Sequence, residues 1–178
     1  RQEYPPNPDE AFLHSGTGVF DNEQVILQRE IAPGYIRRGE FLWDTSSDPA
    51  GHLPLEGKAF PWKDSESGAV RIWREPEEGH PYVLGGDTAG EGSDWFTAIV
   101  IDNSTGEQVA TLRRQYSEPE YVRQIYALGM YYNAAMIGLE TNFSTYPVMK
   151  LQELGYPNQY ARDREDTYTR QVKKSYGF

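Results

Sequence analysis

Two acids stand at the ends of short apolar runs: Tyr82-Val83-Leu84-Gly85-Gly86 delivers Asp87, and Ala134-Ala135-Met136-Ile137-Gly138-Leu139 delivers Glu140. Apolar runs of this length, bounded by small and polar residues, read as buried strands, so each acid is a carboxylate fixed at a sheet rim. A loop follows each one, Thr88 to Ser93 after the first and Thr141-Asn142-Phe143-Ser144 after the second. With the two strands as neighbours running the same way, both carboxylates face one rim and can bridge divalent cations. Two Mg²⁺ or Mn²⁺ ions about 4 Å apart clamp the attacking and leaving oxygens of a phosphodiester displacement. Asp94 is a third acid near this rim, with a turn or capping role as its alternative, and Asn142 could orient substrate beside Glu140. A single acid ending a strand more often caps the next turn. The joint pattern of two acids on one rim is what points to a metal.

Composition narrows the chemistry. The chain has no cysteine and only three histidines, His14, His52 and His80, none at i,i+4 spacing. That argues against thiolate or histidine-rich zinc sites and leaves hard cations held by oxygen. A net charge of -10 over 178 residues argues against a protein that grips nucleic acid with its whole surface, while leaving room for local basic patches. Arg162, Arg164, Arg170, Lys173 and Lys174 form one such cluster, and Arg113, Arg114 and Arg123 are further phosphate candidates. Solvated faces account for most such charges. No apolar run approaches the roughly 18 to 20 residues of a membrane span, so no membrane partner is expected. Gly51 to Ala59, GHLPLEGKA, has five residues between its glycines and alanine where a phosphate loop needs a hydroxyl, so it is an ordinary loop.

The elements that must position the acids follow from patterning. Residues 1–79 are rich in proline and poor in periodicity, and read as a linker or arm with Tyr35–Trp43 and Ala69–Trp73 as short strands. A single helical turn is expected at Pro8–Leu13, and a loop over Asp44–Gly57. From residue 80 the pattern sharpens. Tyr82–Asp87, Trp95–Asp102 and Glu107–Gln115 form a three-stranded antiparallel meander. Ser117 and Glu120 have capping-box spacing, with Pro119 in the first turn of a helix whose apolar face is Val122, Ile125, Tyr126, Gly129 and Tyr132. Ala134–Glu140 is then a strand buried on both faces and parallel to the first, because a helix connects them. A helix from Thr145 to Leu154 ends at Gly155, and the polar tail offers Tyr168 and Tyr176 as strand positions. Asp163, Glu165 and Asp166 read as a solvated charged loop.

The order β-β-β-α-β-α is that of the ribonuclease H-like fold, an α/β mixed sheet. The wording of the chain resembles the nuclease domain of tailed-phage and prophage terminase large subunits. Gly86-Asp87-Thr88-Ala89-Gly90-Glu91-Gly92-Ser93-Asp94-Trp95 is similar to that family's first acidic motif and Leu139-Glu140-Thr141-Asn142 to its second. Arg1 to Phe12 is similar to the segment that leaves the family's ATPase motor, and Val19-Phe20-Asp21 and Lys173 to Phe178 fit further segments. The resemblance implies Asp87 and Glu140 as metal ligands in endonucleolytic cutting of double-stranded DNA. It implies as partners the terminase ATPase domain, small subunit and portal protein, and as location the host bacterial cytoplasm, not the mature virion. It also implies residues 80–178 as the nuclease domain, following an ATPase domain and lacking a C-terminal part that would bring a third acid. Three rival readings are a DNA- or portal-docking module without catalysis, half of an actin-like or sugar-kinase ATPase, and a glycosidase acid–base pair.

Overall fold

A computed structural model describes residues 21–43, 60–89, 94–165 and 172–178. The expected turn at Pro8–Leu13, the loop over Asp44–Gly57 and Tyr168 lie outside these. The chain forms two units, Arg1–Gly34 and Tyr35–Phe178.

In the first unit, helix α1 spans Asn22–Ile31. Patterning did not predict it, because its apolar residues make no continuous stripe and none is buried. Its ends are nonetheless written in sequence: the Asp21 carboxylate accepts from the Gln24 N–H at 3.0 Å, Glu23 lies in the first turn, and Pro33 follows the end.

The second unit is built on a seven-stranded sheet in the order β2-β1-β3-β6-β5-β4-β7. Its centre is the predicted meander: β4 (Tyr82–Asp87), β5 (Phe96–Asp102) and β6 (Gln108–Arg114), antiparallel throughout. Tyr82, Leu84 and Gly86 alternate inward against Val83, Gly85 and Asp87, as period-two patterning requires. A register shift at Val100/Ile101 leaves Val109 as an extra residue of β6. The Val109 carbonyl accepts the Trp73 N–H at 2.8 Å, so the bulge is satisfied.

Residues 35–79, read from sequence as part of an arm, supply three strands of this same sheet. They are β1 (Arg37–Phe41), β2 (Trp62–Asp64) and β3 (Val70–Ile72), and β3 pairs with β6 from Val70↔Leu112 to Ile72↔Ala110. β1 and β3 fall within the strands expected at Tyr35–Trp43 and Ala69–Trp73, whereas the three-residue β2 carries little local signal and is a strand through its pairing to β1. Gln124, on the helix below, joins in. Its amide donates to the Phe41 carbonyl at 2.7 Å and accepts the Phe41 N–H at 3.2 Å, in a buried setting. Gln124→Leu leaves both groups without a partner, and we expect it to lower the unfolding free energy by about 2 kcal/mol, read by urea denaturation.

Helix α2 (Glu118–Tyr131) begins as predicted, with the Glu120 carboxylate accepting the Ser117 N–H at 2.9 Å. Its buried face covers one side of the sheet: the Tyr121 hydroxyl donates to the Thr97 carbonyl at 2.8 Å, and the Tyr132 ring meets Tyr82 edge-on at 5.0 Å. The chain then turns through Asn133 and Ala134, both at φ 54°, into β7 (Met136–Leu139). As expected from the connecting helix, β7 is parallel to β4, from Val83↔Met136 to Gly86↔Leu139. It is not buried on both faces. It is the edge strand: Ile137 and Leu139 are buried, whereas Met136 is 40% exposed. Helix α3 (Tyr146–Glu153) follows, with Gly155 at φ 69° just beyond its end.

The tail is a two-stranded antiparallel ribbon, β8 (Ala161–Glu165) with β9 (Val172–Tyr176). Asp163 and Glu165 therefore lie in a strand and not in a solvated loop, and the register opposes Asp163 to Lys174. The ribbon is fastened beside β7: the Phe178 N–H donates to Leu139 O at 3.0 Å and the Thr141 N–H to Phe178 O at 3.0 Å. Gly177, at φ 78°, passes so close that a Cβ there would sit 2.7 Å from Leu139 O.

Candidate metal centre

The parallel register of β4 and β7 decides where the two acids stand. Gly86 pairs with Leu139, and the Glu140 N–H donates to the Gly86 carbonyl at 3.0 Å, so Asp87 and Glu140 leave the ladder together at one rim. The Thr88 hydroxyl, on a residue only 2% exposed, donates to the Glu140 carbonyl at 3.3 Å and ties the two post-strand loops. Asp87 is exposed, and among the described residues nothing hydrogen-bonds or pairs with its carboxylate. The half-buried Glu140 carboxylate accepts a hydrogen bond from the Asn142 amide through Oε1. The sequence reading gives Asn142 a substrate-orienting role; in the structure its amide is bonded to the second acid.

Asp102 is the instructive contrast. It too ends an apolar strand, at the opposite rim, where Tyr82 pairs with it. It is fully buried, and the chain uses up its oxygens: the Ser104 N–H at 2.8 Å, His80 Nδ1 at 3.3 Å and the Arg74 guanidinium at 3.7 Å. The Ser104 N–H foremost, with His80 and Thr105 behind it, holds the Asp102 carboxyl below the ordinary aspartate range despite burial. A carboxylate depressed on folding stabilises the protein above its unfolded pKa, and that contribution is lost as pH falls through the lower, folded value. Asp102→Asn should therefore flatten the acid limb of a stability-versus-pH curve below about pH 4, measured by chemical denaturation. Asp102 is a structural cap; Asp87, at the other end of the same pair of strands, has no such partners among the described residues.

What lies beneath Asp87 was not legible as a site. Gly86 packs directly on α2: a Cβ there would sit 2.3 Å from the Tyr121 hydroxyl and 2.6 Å from Leu139 Cδ2. Burial, and then the nearby negative charge of Asp87, push the Tyr121 phenol far upward, so it stays a neutral donor to Thr97 O. The Gly85-Gly86 doublet before the acid is the one sequence signal for this close approach.

The remaining predicted residues are less convergent. Asp94 is exposed and precedes β5, beyond the last β4–β5 pair, Asp87↔Thr97. Among the described residues no group of three or more histidine or acidic side chains forms a metal cluster. The basic cluster is distributed over the ribbon: Arg162 lies opposite Ser175, Arg164 opposite Lys173, and Lys174 opposite Asp163. Arg162 and Lys173 thus share one face and Lys174 is on the other. Two carboxylates thus stand on adjacent parallel strand ends, one of them without a partner among the described residues, and carboxylate oxygens are the donors that a hard divalent cation takes.

Among the described residues no helix is long and apolar enough to cross a membrane. No family model matches the chain, and no curated protein matches it. Among solved structures it is similar to the large terminase nuclease from thermophilic phage G20c, with 22% identity over 51% of this chain and 49% of that one, at a TM-score of 0.47. The same nuclease with bound magnesium matches at 20% identity over 53% and 50% of the two chains, also at 0.47. The large terminase nuclease domain of Thermus phage P74-26 matches at 21% identity over 58% and 50%, at 0.42. The chain spans about half the length of the solved structures it matches.

Proposed function

We propose that this chain carries the metal-dependent endonuclease centre of a terminase-like protein, cutting double-stranded DNA by phosphodiester hydrolysis. The observation that carries the reading is the parallel register that releases Asp87 and Glu140 at one rim, in the two sequence contexts that resemble the terminase acidic motifs. Asp87 and Glu140 hold Mg²⁺ or Mn²⁺, and Asn142 keeps the Glu140 carboxylate oriented. Cations bound there would supply Lewis-acid activation of a water and neutralisation of phosphate charge. Asp94, and the ribbon cations Arg162, Arg164, Lys173 and Lys174, are further candidates for metal and phosphate contact. In this reading the working context is an ATPase motor, a small subunit and a portal in the host cytoplasm.

The test is nicking or linearisation of supercoiled plasmid with Mn²⁺, blocked by EDTA, alongside calorimetric titration of Mn²⁺ into the protein. Plasmid that stays intact while Mn²⁺ binds neither carboxylate would overturn the reading. A second reading, a DNA- or portal-docking module without catalysis, is favoured by one observation: no group of three or more acidic or histidine side chains converges among the described residues. It predicts duplex binding with no metal-dependent cutting. Within the nuclease reading, Asn142→Ala frees the Glu140 carboxylate, and we expect a loss of about tenfold in cleavage rate with an unchanged melting temperature.

A further inference from the structure

The side of the sheet away from α2 carries Asp87, and the same side carries an unusual set of cations. Register aligns Asp87 with Thr97 on β5, and Thr97 with Arg113 on β6, which places the Arg113 backbone about 10 Å from that of Asp87. One strand further, Arg71 on β3 pairs with Thr111, two residues from Arg113, and is therefore its diagonal neighbour. Arg38 on β1 stands directly opposite Arg71. Like charges directly opposed on a sheet destabilise it.

The other arginines of this region are neutralised. Arg37 pairs with Asp64 and Glu75, Arg74 with Asp102 and Glu107, and Arg114 with Glu40. Arg38, Arg71 and Arg113 have no carboxylate partner among the described residues, in a chain with 27 acids against 17 bases. Each is instead steadied without losing its charge. The Arg38 guanidinium donates to Gly68 O at 2.8 Å, Arg71 lies 5.8 Å from the Tyr35 ring centre, and Arg113 stacks over Trp95 at 4.5 Å. A stacked guanidinium keeps its N–H edge free for a phosphate and loses little freedom on binding one. A groove of about 460 Å³ runs between these side chains, floored by Thr97, Ile99 and Thr111.

We propose that this face is a track for the sugar–phosphate backbone of double-stranded DNA, in which Arg71 and Arg113 contact phosphates and lead the strand to the Asp87 rim. The inference rests on the nuclease reading for what happens at that rim, but binding along the track requires no metal. Charge complementarity selects the occupant: three cations with no carboxylate partner among the described residues, on a chain of net charge -10, suit a polyanion.

The experiment is anisotropy of a labelled duplex titrated with the whole chain in EDTA, across a salt series. Each phosphate contact adds about -0.9 to the slope of log affinity against log salt, so Arg71→Gln with Arg113→Gln should make it shallower by about 2. Equivalently, between about 50 and 200 mM salt the unaltered protein loses about tenfold more affinity than the double variant. Both positions are exposed, and a thermal melt verifies the fold of the variant. A control off this face, Lys150→Gln on α3, should leave the slope unchanged. An unaltered slope in the double variant overturns the proposal. So does an equal change in the control, absence of duplex binding, or binding of polyglutamate in preference to duplex. The two readings fail separately. If only the nuclease reading is wrong, no variant cuts with Mn²⁺ yet the slope still shifts. If only the track is wrong, cutting depends on Asp87 while the slope stays fixed.

Discussion

Asp87→Asn and Glu140→Gln are each expected to reduce Mn²⁺-dependent nicking of supercoiled plasmid by at least about a hundredfold, since even residues that merely orient a metal ligand cost ten- to a hundredfold when removed. Both replacements keep the shape of the side chain and remove the charge that attracts a cation. Asp87 is exposed, and among the described residues no hydrogen bond or ion pair ties its carboxylate into the fold, so Asp87→Asn should leave the melting temperature within a degree or so. Glu140→Gln retains an oxygen for Asn142 and should be similarly benign. Loss of cutting with retained stability is therefore the signature of a ligand. Cutting by either variant at the unaltered rate would remove the carboxylate pair from the mechanism. Duplex affinity in EDTA is expected to persist in both, since no cation is then present to be shared with the phosphate.

Tyr121→Ala carries the largest expected effect on the fold, a loss of about 3 to 5 kcal/mol typical of truncating a buried aromatic. Tyr121 is fully buried, packs on Phe96 with ring centres 4.9 Å apart, and fills the space that glycine leaves at position 86. At roughly 2 to 4 °C per kcal/mol for a chain of this size, the melting temperature should fall by about 10 °C. Tyr121→Phe keeps the ring and leaves the Thr97 carbonyl without its donor, costing about 1 kcal/mol. The approach can also be closed from the other side: Gly86→Ala forces its methyl against Tyr121 and Leu139, for about 1 to 3 kcal/mol. An unchanged melting temperature in Tyr121→Ala would show that α2 is not what supports the acid rim. The phenol also has a pH signature. Its pKa is raised by burial first and by Asp87 second, so the stability it contributes is complete below its unfolded value and declines as pH rises past about 10. Tyr121→Phe should weaken the alkaline limb of the stability curve, measured by denaturation at successive pH values.

The two acid-bearing strands, the meander, the capped helix and its apolar face were all legible in the sequence, for a physical reason. A strand buried on one or both faces must be written in apolar residues, and a helix that packs on it must repeat them at helical spacing. Tyr82–Asp87 begins and ends where patterning put it, and Val122, Ile125 and Tyr126 face the core as predicted. The aromatic and β-branched content of Tyr35–Trp43 and Ala69–Trp73 marks β1 and β3 as strands, but not their place in the main sheet, nor β2. Arg37-Arg38-Gly39-Glu40-Phe41 has no alternation of its own and is placed by the pairing of Val70 and Trp62 on either side of it. At the tail Tyr176 is a strand position as expected, but the strand Ala161–Glu165 has no apolar alternation of its own and is defined by cross-strand register.

The sequence by itself determined that two carboxylates end two apolar strands, that a helix between them makes those strands parallel, and that no sulfur or histidine cluster competes for a metal. Only the tertiary structure decided that the strands are adjacent, with Glu140 bonded through its backbone to Gly86, and that Asp87 faces the arginine-bearing side of the sheet. It also separated two acids that look alike in sequence, Asp102 consumed by a turn and Asp87 exposed at the rim with no partner for its carboxylate among the described residues. The reason is that the type of an element follows from local periodicity, whereas the use of a carboxylate depends on which donors other segments bring within hydrogen-bond reach. Those donors, Ser104, His80 and Arg74 for one acid and none among the described residues for the other, meet or miss it only when the sheet has formed.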